Sequence, residues 1–351
     1  MDSFLTTLRF LISISSKNIK GKAPRTVILK RNGFETEADV YKLKRRKYKG
    51  VIIFIHGMTL LGFRDPRIIA LCQAASKAGY IAIAPELPLI SKCDMSDASV
   101  DNIDSVIHCV YDDKSLSGGK PIALFTASFS GLLGLCAIAR KETASLVSNF
   151  CAVGTSFDPD ETCLKALNNP LTEDGVQWVL LKNFLSNEYT NNQEIIHGME
   201  LAIQDTFNEK PYNQFNAYLE TISLQSKAML IDLKEKVTGK HDMRDLCREQ
   251  IHQFSLNLKH SVDLNRLTCR VFLLHSTDDN IILPEESTKL YHQLKELNKS
   301  CRLLITPLLE HADVNVSPKM FVEIIKLMRV FHLFLKLMKI NAVQDSEQAN
   351  N

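Results

Sequence analysis

The chain has 351 residues, 45% of them hydrophobic, enough to bury a large core as one domain or as a domain carrying an insertion. Its 42 basic and 40 acidic residues leave a formal net charge of +2, without the basic excess that nucleic-acid binding requires. The nine cysteines are scattered, form no CxxC pair and lie mostly in apolar surroundings; buried free thiols in a reducing cytoplasm are expected, not disulfides or a zinc site.

The chain opens with Asp2 where a signal peptide would be basic, and Arg9 interrupts the first apolar run. Residues 4–14 read as a short amphipathic helix packed on the body, with surface or membrane contact as the second reading. No apolar stretch reaches spanning length. Residues 26–29 and 37–41 read as two strands around an Asn32-Gly33 turn, a hairpin signal. Residues 51–55, Val-Ile-Ile-Phe-Ile, are the continuous β-branched run of a strand buried on both faces. That run ends at His56-Gly57-Met58. Asp65 and Pro66 then supply an N-cap and a first helical residue for a helix through about Ala78. A strand over 80–85, a helix over 98–111 and a strand over 149–154 follow, with a strand–turn–helix around Ser128 between the last two.

From about Asp158 to Asn265 the pattern is helical, with no convincing strand. Strands resume at 269–274 and 302–306, separated by a helix over 285–297. A helix over about 318–338 follows, and a polar tail, expected to be disordered, ends the chain. Alternating strands and helices imply a mostly parallel sheet covered on both faces, and the middle block reads as a helical lid inserted into it. The expected organisation is a core in two parts, residues 1–157 and 266–340, around a lid at 158–265, with a tail at 341–351. The last helix is apolar over too wide an arc for a surface helix, so one side should pack on the sheet. The other side is left for a partner, a lid helix or a membrane surface, the last suggested by Lys326, Arg329, Lys336 and Lys339.

Chemistry is concentrated just past the strands. A serine nucleophile needs a base in reach, a group that orients the base, and backbone donors for the oxyanion. Thr126-Ala127-Ser128-Phe129-Ser130-Gly131 stands where an apolar strand turns into an apolar helix, the layout of a nucleophile elbow. Both glycine positions of G-x-S-x-G hold other small residues. Gly57 permits a tight turn, so the amides of Met58 and Phe129 are the candidate oxyanion donors. His275-Ser276-Thr277-Asp278-Asp279 follows the 269–274 strand, and Glu310-His311-Ala312-Asp313 follows the 302–306 strand. His56 and His275 read as structural. The remaining histidines show no metal-ligand spacing, and no metal or cofactor is expected.

These pieces, in this order, resemble the α/β-hydrolase family: His56-Gly57 after the third strand, Ser128 in its elbow, the HxxDDxxxxP segment from His275 to Pro284, and His311. The Asp65-Pro66-Arg67 helix start and the Gly79 to Glu86 strand match as well. The resemblance covers roughly residues 26–155 and 267–340 and leaves out the lid. It implies an α/β-hydrolase fold with an eight-stranded, mostly parallel sheet. It also implies Ser128 as nucleophile, His311 as general base and acid, and Asp279 as orienting acid, with oxyanion amides from Met58 and Phe129. Asp278 competes with Asp279, and Asp158 is a further alternative acid. The expected function is a serine hydrolase cleaving a carboxylic ester with an apolar or acyl portion. Two alternatives stay open. One is a catalytically silent binding module, motivated by Thr126 and Ser130. The other is a peptidase, thioesterase or acyltransferase using the same triad.

Overall fold

The computed structural model describes residues 7, 23–43, 47–185, 189, 191–210, 212–310, 313–314 and 321–336. Strands β1 (Arg25–Arg31) and β2 (Phe34–Tyr41) form an antiparallel hairpin. Its two turn residues, Asn32 and Gly33, have φ of 47° and 83°, as a two-residue hairpin that follows the strand twist requires. Strand β3 (Val51–Ile55) leads to helix α1 (Pro66–Ala78). Asp65 caps α1 by accepting from Arg67 N–H at 2.8 Å, and Gly79 ends it in the left-handed conformation. Strand β4 (Ile81–Pro85), the short helices α2 (Pro88–Ser91) and α4 (Lys114–Ser117) and the longer α3 (Ala98–Asp112) precede strand β5 (Ile122–Ala127). Helix α5 (Ser130–Ile138) and strand β6 (Val147–Val153) complete the first half.

Six helices then follow without a strand among the described residues: α6 (Pro159–Ala166), α7 (Asp174–Phe184), α8 (Gln193–Phe207), α9 (Asn213–Leu219), α10 (Leu224–Thr238) and α11 (Arg244–Ser261). The second half holds β7 (Arg270–Ser276), α12 (Pro284–Glu296), β8 (Cys301–Thr306), the short antiparallel pair β9 (Leu309–Glu310) and β10 (Asp313–Val314), and α13 (Phe321–Leu335). The eight long strands form one sheet in the order β1-β2-β4-β3-β5-β6-β7-β8. β2 runs antiparallel to β1 and β4; from β4 to β8 every pairing is parallel.

Alternation along β3 shows why its sequence is apolar throughout. Val51, Ile53 and Ile55 enter a core shared with α3, α5, α12 and the helical block, whereas Ile52 and Phe54 enter a second core under α1 and α13. Helix α13 buries Leu327, Phe331, Phe334 and Leu335 in that second core. The carbonyls at its C-terminal end have no partner within the helix and are met by the body. Asn149 Nδ2 donates to Phe334 O, Tyr80 Oη to Leu335 O, and Arg270 to Lys336 O. Of the expected N-terminal helix only Thr7 is described; it is buried, with Oγ1 3.5 Å from His332 Nδ1. The expected tail at 341–351 lies outside the described residues.

The helical block is fastened to the body at both stems. Glu286 of α12, a buried carboxylate, accepts from the N–H groups of Phe157 and Asp158 at 3.1 and 2.6 Å. At the other stem, Lys299 Nζ donates to Asn265 O at 2.6 Å and Leu267 O at 3.0 Å. Inside the block, Trp178 is fully buried against Tyr212 and Phe215, and its indole N–H donates to Tyr212 Oη at 3.0 Å.

Candidate active site

Ser128 sits between the end of β5 and the start of α5 with φ of 57°, a left-handed conformation uncommon for a residue with a Cβ. Its N–H donates to Val153 O of β6 at 2.7 Å, and its carbonyl accepts from Gly131 N–H at 2.9 Å. Strand, sharp turn and helix therefore place the hydroxyl at the carboxyl end of the sheet, where open α/β folds hold their ligands.

The two non-glycine positions are accommodated by their neighbours. Thr126 is buried, and its hydroxyl donates to Cys151 O at 3.2 Å. Its methyl group uses space left by Gly134, where a Cβ would come within 2.8 Å of Thr126 Cγ2. Ser130 is also fully buried; its Oγ donates to His56 O at 2.6 Å and so ties the elbow to the loop after β3. The close helix–sheet approach falls at Gly131, where a Cβ would lie 2.5 Å from Thr155 Cβ.

The loop after β3 runs directly against the serine, since a Cβ on Gly57 would stand 3.4 Å from Ser128 Cβ. Among the described residues, neither Met58 N–H nor Phe129 N–H is taken by another acceptor. His56 donates from Nδ1 to Gly57 O at 2.9 Å, which leaves Nε2 an acceptor with no partner among the described residues. Burial holds this imidazole below its usual pKa against the opposing pull of Gly57 O, Glu86 and Asp65, so it stays neutral and braces the loop. The ring of Phe129 packs at a tilt against Phe254 of α11, which in turn packs on Phe184, so the elbow is anchored in the helical block.

Past β7 the two adjacent acids diverge. Asp278 is exposed, while the Asp279 side chain is only 8% exposed. Asp279 Oδ1 accepts from the N–H groups of Ile281 and Ile282, both at 3.0 Å. Its Oδ2 lies 3.5 Å from His275 Nε2 and 3.3 Å from where a Cβ on Gly154 would be, over the end of β6. Burial alone would raise this carboxyl, but the bonds from His275, Ile282 and Ile281 outweigh it and hold the group below its ordinary range. His275 is itself fully buried, paired through Nδ1 with Ser287 Oγ and through Nε2 with Ile282 O, both at 2.7 Å, so it shapes the acid-bearing turn. Asp158 turns to the helical block, 3.2 Å from Lys259 Nζ. Ser128 thus follows β5, Gly154 follows β6 and Asp279 follows β7, at one edge of the sheet. His311 itself lies outside the described residues.

Ser128 opens into a cavity of about 390 Å³ between the sheet's carboxyl edge and the helical block. Its walls come from the loop after β3 (Met58, Leu60), from Met95, from α6 (Cys163, Ala166), from α7 (Val176, Val179, Leu180), from Phe207, and from Ile281 and Ile282 beside the acid. Polar groups on its lining include Thr59, Arg67, Glu173 and Asn208. Burial pushes the thiol of Cys163 far up. Sequence reasoning did not locate Met95 or Thr59 on this cavity; both come from loops whose path only the fold reveals.

Solved structures share this fold over nearly the whole chain. The acylaminoacyl peptidase of Pyrococcus horikoshii superposes with a TM-score of 0.53 at 14% identity, over 92% of this chain and 42% of that one. The esterase of the archaeon Pyrobaculum calidifontis superposes with a TM-score of 0.50 at 13% identity, over 95% of this chain and 88% of that one. The chain has the α/β-hydrolase fold. It spans about two fifths of the length of the peptidase. No protein-family model and no curated protein matches the sequence. In α/β-hydrolase terms the helices α6 to α11 stand between the sixth and seventh strands of the sheet, over the elbow. No helix among the described residues is long and apolar enough to cross a membrane.

Proposed function

We propose that the chain is a serine hydrolase that cleaves a carboxylic ester with an apolar acyl portion, held in the cavity beneath a lid formed by residues 158–265. The observation that carries this reading is Ser128 itself, fixed at positive φ on a strand–turn–helix and facing a partly open, largely apolar cavity. Ser128 Oγ bonds to the ester carbonyl carbon while its proton passes to His311. The oxyanion rests on the amides of Met58 and Phe129, donors of a kind worth about a hundredfold or more in kcat when one is lost. Collapse breaks the carbon–oxygen bond, and His311 returns the proton to the leaving alkoxide. Water then gives its proton to His311 and attacks the acyl-enzyme, releasing the acid and restoring Ser128. Asp279 keeps the imidazole in the productive tautomer and stabilises its charged form. No cofactor or metal is needed for these steps.

An amide passes through the same intermediates, and the neighbours include a peptidase as well as an esterase. The apolar cavity favours the ester with an acyl chain. The silent-module reading rests on the absent elbow glycines; the space Gly134 leaves for Thr126 and the Ser130–His56 bond speak against it. The nine buried free thiols fit a cytoplasmic setting. A fluorophosphonate probe followed by peptide mapping tests the reading: Ser128 is expected to be labelled in the folded wild type and labelling lost in Ser128→Ala. Labelling that persists in Ser128→Ala overturns the assignment. A panel of p-nitrophenyl esters with thioester and amide counterparts then separates the bond types.

A further inference from the structure

We propose that Asn183 and Lys182, neighbours at the end of α7, determine the length of acyl chain the site accepts by clasping the body segment that carries Met95; this rests on the hydrolase reading above. Val179 and Leu180 of α7 and Met95 of the body are walls of the same cavity. Asn183 Oδ1 accepts from Met95 N–H at 2.8 Å, and its Nδ2 donates to Cys93 O at 2.8 Å and to Val179 O at 2.7 Å. Lys182, only 7% exposed, donates to Lys92 O at 2.8 Å and pairs with Asp94 at 2.5 Å. Two adjacent side chains thus hold four consecutive residues, in a segment that Cys93 enters with φ of 55°.

Asn183 lies four residues beyond Val179, one turn along the same helix face, so clasp and wall move together. Neither Asn183 nor Lys182 lines the cavity, and both act through the walls they fix. The clasp is backed by open space: a hollow of about 320 Å³ lies on its outer side, lined by Asp94, Leu185, Glu200 and Gln250 along with the clasp itself. With the clasp cut, the Met95 segment and α7 have room to part, and the cavity lengthens.

The experiment measures kcat and KM on p-nitrophenyl butanoate, octanoate and dodecanoate for the wild type, Asn183→Ala and Lys182→Met. Asn183→Ala is expected to raise the dodecanoate-to-butanoate ratio of kcat/KM about tenfold, the change falling on KM. Lys182→Met moves it in the same direction. A ratio within about twofold of wild type in a cooperatively melting variant overturns the proposal. If neither clasp variant folds, Met95→Ala deletes the wall and keeps the clasp. It must raise the same ratio, and an unchanged ratio overturns the proposal. Failure of the wild type on every ester, with no fluorophosphonate labelling, is failure of the hydrolase reading alone. The clasp is then read from displacement of bound anilinonaphthalene sulfonate by butanoate, octanoate and dodecanoate anions. A chain-length preference that shifts to longer anions in Asn183→Ala supports it, and an unshifted preference overturns it.

Discussion

Ser128 holds a conformation in which a Cβ is a burden. In the left-handed region an L-residue costs about 1 kcal/mol or more relative to glycine, so the turn keeps local strain at Ser128. Ser128→Ala and Ser128→Gly both remove the proposed nucleophile, yet they should differ in stability. Ser128→Gly is expected to be the more stable by about 1 kcal/mol in urea melts. Asp279 carries the second expectation at this scale. Its folded carboxyl is held below the ordinary range, so its contribution is complete above the unfolded pKa and is lost as pH falls through the lower folded value. Asp279→Asn keeps an amide oxygen for Ile281 and Ile282 but loses the charge. The stability gap to wild type should be widest at neutral pH and narrow as pH falls below the ordinary carboxylate range, read from denaturant midpoints across that range. Under the proposed mechanism its kcat should fall by about a thousandfold or more, because an uncharged amide would not support the charged imidazole.

At the scale of elements, α5 and the sheet meet through a glycine exchange. Thr126 fills space on the strand side, and Gly134 vacates it on the helix side. Gly134→Ala gains helix propensity yet drives a methyl into Thr126 Cγ2 and towards Phe150, so it should destabilise by about 1–3 kcal/mol. Thr126→Ser removes the opposing methyl and should recover part of that loss; thermal melts of the two single variants and the double variant check it. This pair also shows where a single sequence stops being legible. The strand–turn–helix around Ser128 could be read because apolar runs and small residues are local signals. That Thr126 leaves the elbow intact could not, since the compensating glycine stands further along α5 and meets it only in the folded packing. Asp279 and Asp278 remained competitors in the sequence for the same reason: burial, not spacing, separates them. The sheet was legible strand by strand because β3 to β7 are buried on both faces and carry largely apolar stretches. The clasp of α7 on residues 92–95 joins polar side chains to backbone across a long separation, and leaves no periodic trace.

Over the whole molecule, the sheet is interrupted in sequence by the helical block and closed in space by α13. Asn149 is fully buried and joins Phe334 O to the Arg270 side chain, which donates to its Oδ1 at 3.0 Å. Asn149→Ala leaves a buried helix-end carbonyl without its donor, and a loss of about 2–3 kcal/mol is expected in a denaturant titration. The helical block should respond to its stem in the same spirit. Glu286→Ala frees the N–H groups of Phe157 and Asp158, and faster hydrogen exchange at those two amides, with the sheet still protected, is the expected outcome.

The stitching of α13 also governs the order in which the chain can fold. Tyr80 reaches Leu335 across 255 positions, and Asn149 reaches Phe334 across 185. A nascent chain that has already made β1 to β6 still carries one sheet face uncovered by α13. That apolar face waits through synthesis of the entire helical block. Contacts of such long range slow the final step, because loop closure must precede the contacts that reward it. The exposed face meanwhile invites association with other chains. The second core is therefore closed only at α13, late in synthesis and far in sequence from the strands it covers.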